Sequence, residues 1–346
     1  MTAATAGFGR TERAAGWIRA AGNFSVEFPE MLSNHLPMVL HALEALGADD
    51  ARLAAFFATY RDASGLVPVP PPVAPIDAHN WRDALGCRER EADYRQFFAG
   101  EVARLGRRGA VAAHLPALAP GIAASALHGL MRLAYACLRR DPGETAIGLA
   151  YIACTWLPLG PVDGPAPDTR DPAAVLERMR GIPAFQDFTC DAHLLWHWMR
   201  AAAALPEFAP VGSWLDVRDG GLARIAAASL RLMAATMTFE AVHAVTGSHW
   251  LRLVRGFGCD EALQRHFWQA IAAVYPKIGM PALPDEAAFE AMRRLPCPDW
   301  PEIAAAAAAS DDEHDLSYVF SAREEQRVYG DRLYQVTAAR RMGLIP

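Results

Sequence analysis

Apolar positions along the chain recur at helical spacing, and the alternating β-branched runs that mark strands are nearly absent. Leu36, Leu40, Leu43 and Leu46 form one face of a helix that Ser33 or Asn34 can cap and Gly47 can close. The same period, carried by Ala, Leu, Arg and Glu, predicts helices over 50–60, 89–105, 123–138, 144–155 and 172–179. It predicts more over 191–203, 221–245, 248–254, 259–274, 286–294, 300–308 and 312–341. Residues 67–75 form a proline-rich connector that cannot be regular helix. A second break, 160–172, is rich in proline and glycine and is a possible boundary between lobes. Neither half has its own class of composition. The expectation is an all-α fold, with residues 1–346 forming one large helical domain.

Two long uncharged stretches need testing as membrane spans. Residues 109–131 contain Pro116, Pro120 and Gly121 together with His114 and His128, and 145–162 end in Pro158 and Pro161. A span needs about 20 mostly apolar residues, preferably without such breaks, so both are expected to be buried helices with no membrane as partner. Arg10, Glu12 and Arg13 precede any apolar run, which argues against a secretory signal. The six cysteines (Cys87, Cys137, Cys154, Cys190, Cys259 and Cys297) lie far apart with no C-x-x-C. Unpaired thiols in a reducing cytoplasm are expected.

Charge narrows the partners. With 33 basic and 39 acidic residues the net charge is −6, and no basic stripe is left to neutralise phosphates, so nucleic acid is not expected. Lys277 is the only lysine. Neither phosphate-cradling glycine motif is present, and no G-x-S-x-G elbow appears.

The chemistry left over lies in the eleven histidines. His35 opens a helix, His128 precedes a glycine that permits close approach of another backbone, and His243 and His314 sit in two later helices. Each alone reads as a hydrogen-bonded structural histidine. Four from four helices can nevertheless converge in a bundle core and bind a metal. Glu240 precedes His243 by three residues, and Asp311 precedes His314 by three, which puts carboxylate and imidazole on one helical face. Such a pair can ligate together, or the carboxylate can orient the imidazole; equally, Asp311 can be a helix cap and Glu240 a surface charge. His193 and His197, four apart, suit a metal by spacing, but Trp196 and Trp198 around them suggest packing.

Taken in order, these segments resemble the questin oxidase-like family of oxygenases that act on aromatic polyketides. Ser33-Asn34-His35 with Pro37-Met38 and residues 42–47 is similar to the family's opening motif. His128-Gly129 with Arg132 and Ala134, then Gly148-Leu149-Ala150-Tyr151, resembles its central segment. Residues 242–247 and Asp312-Glu313-His314 resemble the later two. The resemblance runs from about residue 30 to 340 and rests on the succession of short motifs.

It implies a helical protein with a mononuclear non-haem iron held by His35, His128, His243 and His314. Asn34, Glu240, Asp311 and Ser317 are the candidates for supporting roles around it. The implied partners are dioxygen and a small aromatic or cyclic ketone, with C–C oxidation or cleavage as the reaction. NADPH as a further cofactor is implied by the resemblance alone. One departure matters: relatives carry a lysine, used as a carboxylated ligand, three residues after the last histidine, where this chain has Ser317. Without that carboxylate the site is more positive. Lys277 does not match the motif. Two other readings stay open: a di-iron oxidase or hydrolase on the same scaffold, and a non-catalytic helical protein that binds an apolar ligand.

Overall fold

A computed structural model describes residues 13–164 and 166–346; Arg10 and Glu12 lie outside the described residues. Helix accounts for 65% of the chain and strand for 3%, so the all-α expectation holds. The only sheet among the described residues pairs Glu27–Phe28 with Leu32–Ser33. No described helix is long and apolar enough to cross a membrane, and all six cysteines are free.

Four helices set the position of the site. Leu36–Ala45, His128–Arg139, Phe239–Leu253 and Glu313–Tyr329 pack in a closed circuit, each against the next and the last against the first. Apolar burial is nearly complete on their facing sides. Leu36, Val39, Leu43, Leu130, Met131, Val245, Leu316 and Phe320 are each at most 1% exposed, and each such side chain contributes roughly 1.5–3 kcal/mol. Around this circuit the helix Glu91–Leu118 runs past Gly106 and Pro116 and packs on Pro142–Cys154. The sequence pattern ended it near residue 105, because Gly106 does take a non-helical φ of 70° and yet the chain resumes helix beyond it.

Two long helices of the sequence reading divide elsewhere than expected. The stretch 221–254 breaks after Thr236, where Met237 adopts φ 50° and Thr238 accepts a hydrogen bond from Ala241 N as N-cap. It does not break at Gly247, which is there for packing: a Cβ at that position would lie 2.4 Å from the Phe267 ring. The last helix ends at Gly330, in the left-handed region at φ 73°, and restarts as Leu333–Arg341.

The two breaks in periodicity are both tied down. Ser25 N donates to Val67 O (2.9 Å), and Val73 N donates to the Asp93 carboxylate (3.1 Å), so the proline-rich connector is pinned in extended form. Thr169 bridges to Leu215, and Gln269 Nε2 donates to Gly160 O (3.4 Å), tying the 160–172 segment to later parts of the chain.

Gly129 and Gly148 let the helices His128–Arg139 and Pro142–Cys154 touch backbone to backbone. A Cβ on Gly148 would stand 2.7 Å from Leu133 Cα, and one on Gly129 would stand 3.1 Å from Ile152 Cα. Main chain cannot rotate away as a side chain can. We therefore expect Gly148→Ala to destabilise the fold by about 1–3 kcal/mol, read as a lowered urea midpoint, whereas Gly16→Ala, with open space around it, shifts the midpoint little.

Candidate functional site

The helix circuit brings four imidazoles together in the same order. Ring centres are 4.3 Å apart for His35 and His128, 5.6 Å for His128 and His243, 5.9 Å for His243 and His314, and 5.0 Å for His314 and His35. All four sit at helix beginnings. His35 is the N-cap of its helix, His128 and His314 are the first and second residues of theirs, and His243 is the fifth.

Each Nδ1 is occupied by the histidine's own stretch of chain. His35 Nδ1 pairs with Ser33 O (2.8 Å), His128 Nδ1 with Ser125 O, His243 Nδ1 with Phe239 O (3.2 Å) and His314 Nδ1 with Asp312 Oδ1 (3.1 Å). A carbonyl or carboxylate oxygen only accepts, so Nδ1 carries a proton in all four, and in the neutral ring Nε2 then keeps its lone pair. None of the Nε2 atoms is hydrogen-bonded to a described protein group. Burial, reinforced by the neighbouring imidazoles, pushes the pKa of His35 and His243 well down; burial pushes that of His128 down to about 4. These three are neutral at neutral pH.

That donor set fits a metal ion. An imidazole nitrogen about 2.1 Å from an ion puts its ring centre roughly 3.2 Å away, so rings sharing the ion stand about 4.5–5.5 Å apart. The His35–His314 separation of 5.0 Å falls within that range, and the other three lie just outside it, at 4.3, 5.6 and 5.9 Å. Among the described residues, the group whose ligand atoms all lie within 4.8 Å of one another is His35, His314 and Glu313, with Glu313 Oε1 3.9 Å from Nδ1 of both histidines; His128 and His243 stand further out.

The supports of this site are only partly those expected. Asn34 is fully buried and braces the His35 turn, its Oδ1 accepting from Leu36 N (3.1 Å) and its Nδ2 donating to Ser25 O (3.0 Å). Asp311 does not support His314: its carboxylate pairs with Arg52 at 2.9 Å, on the surface. The neighbouring Asp312 takes that place, capping the helix through His314 N (2.8 Å) and accepting from the ring. The hydrogen bond from His314 holds the Asp312 carboxyl down to about 2. Glu240 likewise turns from its histidine to Lys277 (3.5 Å), whose Nζ also stands 4.9 Å from the Trp198 ring centre. Once Glu240 is taken by that lysine, the Phe239 carbonyl is what orients His243.

Ser317 is buried one turn below His314. Its Oγ lies beside the Tyr135 hydroxyl, and neither oxygen is in hydrogen-bonding geometry. His193 and His197 do not share a helical face, because that helix begins at Leu195 and leaves His193 in the preceding loop. Arg132 of the central motif is structural, forming a buried two-point pair with Glu144 (2.9 and 3.0 Å).

Several residues at the site escaped the sequence reading. Ser125, Ala126 and Leu127 lie at φ 45°, 54° and 73°, three successive left-handed residues immediately before His128. Ser125 Oγ donates to Glu27, which is paired with Arg88 at 2.6 Å. Tyr60 accepts from His35 N (3.1 Å). Phe239, 46% exposed, sets its ring against His243 and His314, 5.1 and 4.6 Å between centres. A cleft of about 160 Å³ between Phe56, Tyr60 and Ser64 reaches Asp311 and Glu313. A larger one, about 250 Å³, at Trp300 and Arg327 lies further along the His314 helix, away from the imidazoles.

The family model described as Questin oxidase-like matches residues 32–319, which span all four histidines. No curated protein matches the chain significantly.

The two supports of the His314 helix should separate in measurement. Asp312→Ala removes the N-cap and the ring acceptor together and is expected to cost about 1 kcal/mol. Ser317→Ala removes a hydroxyl with no hydrogen bond and should stay within about 0.5 kcal/mol of the parent. Urea unfolding of the metal-free chain reads both. Equal losses in the two variants would contradict the assignment.

Proposed function

Because the chain belongs to the Questin oxidase-like family, we propose that it is an oxidoreductase that holds a single iron ion between His35, His128, His243 and His314 and oxidises an aromatic or cyclic ketone with dioxygen. The observation that carries this reading is the closed circuit of four imidazoles, each with Nδ1 committed to its own backbone or cap and Nε2 left free. The bound ion supplies Lewis acidity and one-electron exchange with dioxygen. Everything else is done by the chain's own groups.

All four histidines arrive already oriented, so little rotamer freedom is lost, and His35, His128 and His243 arrive neutral, with no proton to lose before they bind. Helix beginnings carry partial positive charge. Four of them at one place make the site attractive to an oxyanion, which suits a phenol or enol that binds after losing its proton. As whole residues His35, His128 and His243 are at most 5% exposed, so bulk water is kept from most of the site. Phe239 covers the His243–His314 side and offers an aromatic face to a ring. The cleft at Glu313 is smaller than the roughly 300 Å³ at which ligand pockets begin, and it accommodates one edge of such a substrate.

The mononuclear reading is favoured over a di-iron one by where two carboxylates go. Glu240 and Asp311 stand three residues before their histidines, as bridging ligands would, but they are engaged by Lys277 and Arg52. Elemental analysis by mass spectrometry after purification without chelator should find about one iron per chain, the stoichiometry of a single bundle-core site. His128→Ala should lose most of it, because removing one imidazole leaves three donors and a cavity. Unchanged iron content in that variant would take His128 out of the site. Two ions per chain would replace this reading by the di-iron one, and none would favour a non-catalytic role.

A further inference from the structure

The charges around the four imidazoles do not balance a cation by themselves. Imidazoles bring no negative charge and the helix beginnings are positive, so a cation bound there needs an anion close by. Ser317 cannot supply one.

Five carboxylates lie near the site, and four are already taken by arginine or lysine. Glu27 pairs with Arg88 (2.6 Å), Glu240 with Lys277 (3.5 Å), Asp311 with Arg52 (2.9 Å) and Asp312 with Arg341 (3.4 Å). Glu313 differs. Among the described residues its only ion-pair partners are His35 and His314, each 3.9 Å from Oε1, and its carboxylate accepts no hydrogen bond. Its side chain is 27% exposed, and it borders the cleft at Tyr60.

We infer that Glu313 is the anionic member of the metal site, an outer carboxylate beside His35 and His314 that supplies the negative charge a lysine carboxylate at position 317 would otherwise bring. This rests on the reading of the four histidines as iron ligands. Its place in the first turn of the His314 helix, one residue before the histidine, sets the negative charge against two of the four imidazoles at once. From there it offsets the charge of a bound cation and strengthens the histidines as donors.

Ferrous iron, added anaerobically to the full chain in competition with a chromophoric chelator, tests this through affinity alone. Glu313→Gln keeps the shape and removes the charge, and should weaken binding about tenfold or more, as loss of an outer carboxylate partner does. Asp311→Asn, on the same cleft but neutralised by Arg52, should stay within about twofold, since a neutralised exposed pair contributes little. Circular dichroism and urea midpoints establish that both variants fold. If Glu313→Gln binds iron as tightly as the parent while His35→Ala does not bind, the inference is overturned and the four-histidine reading stands. If the parent chain binds no ferrous iron, the functional reading itself falls, and this inference with it.

Discussion

Four helices begin at one place, and each presents an imidazole whose Nδ1 must be satisfied locally so that its Nε2 is left over. Buried polar groups without partners are costly, by about 1–3 kcal/mol each. A histidine with both nitrogens turned inward would be an expensive core residue. The chain meets that constraint four times with four different devices. They are a strand carbonyl at Ser33, a left-handed turn at Ser125, the helix's own carbonyl at Phe239 and a capping carboxylate at Asp312. The order of the helices around the circuit follows from this, since each must start where its histidine is needed.

The His128 arm shows what such placement costs. Three consecutive non-glycine residues in the left-handed region are disfavoured by roughly 1–2 kcal/mol apiece. They persist because the surroundings hold them. Ala124, Ser125 and Leu127 are at most 1% exposed, and Ser125 is tied to Glu27. Behind them, Gly129 brings the Ile152 backbone against the first turn, and Tyr151 lies between Ser33 and Ser125 with its hydroxyl unpaired. Strain and an orphaned phenol concentrate where two of the histidines are aimed, as expected where geometry has been selected over local stability.

Much of this is written in local pattern. The four histidine segments each carry their own signal, and a helical period is visible wherever one face is apolar, so the architecture and the histidine set are legible from the chain. The failures have a common cause: they are decided by tertiary partners. Gly247 reads as a helix break but exists for Phe267, and the true break at Met237 has no glycine or proline to announce it. Asp311 and Glu240 have suitable spacing, yet Arg52 and Lys277, distant in sequence, claim them. The sequence reading placed the possible cap at Asp311, whereas the structure puts it one residue later at Asp312, whose side chain turns back on the first turn and accepts from His314 N at i+2. Tyr60 and Phe239 carry no sequence signal at all beyond being aromatic.

The position of Ser317 links these points. A lysine there would extend from the buried face of the His314 helix into space beside Tyr135. In this chain that phenol is 2% exposed, flanked by His41 and Phe320 at 5.6 and 5.8 Å between ring centres. The layer under the imidazoles is therefore lined by aromatic packing, and Ser317 brings only a short neutral hydroxyl to it. An anion serving the centre has to come from the other side, where the four helices begin and solvent is near. Glu313 is the acidic residue there that no arginine or lysine neutralises. The exchange moves the negative charge from the dry interior to the mouth of the site. There it costs less desolvation and stands next to whatever the cleft admits.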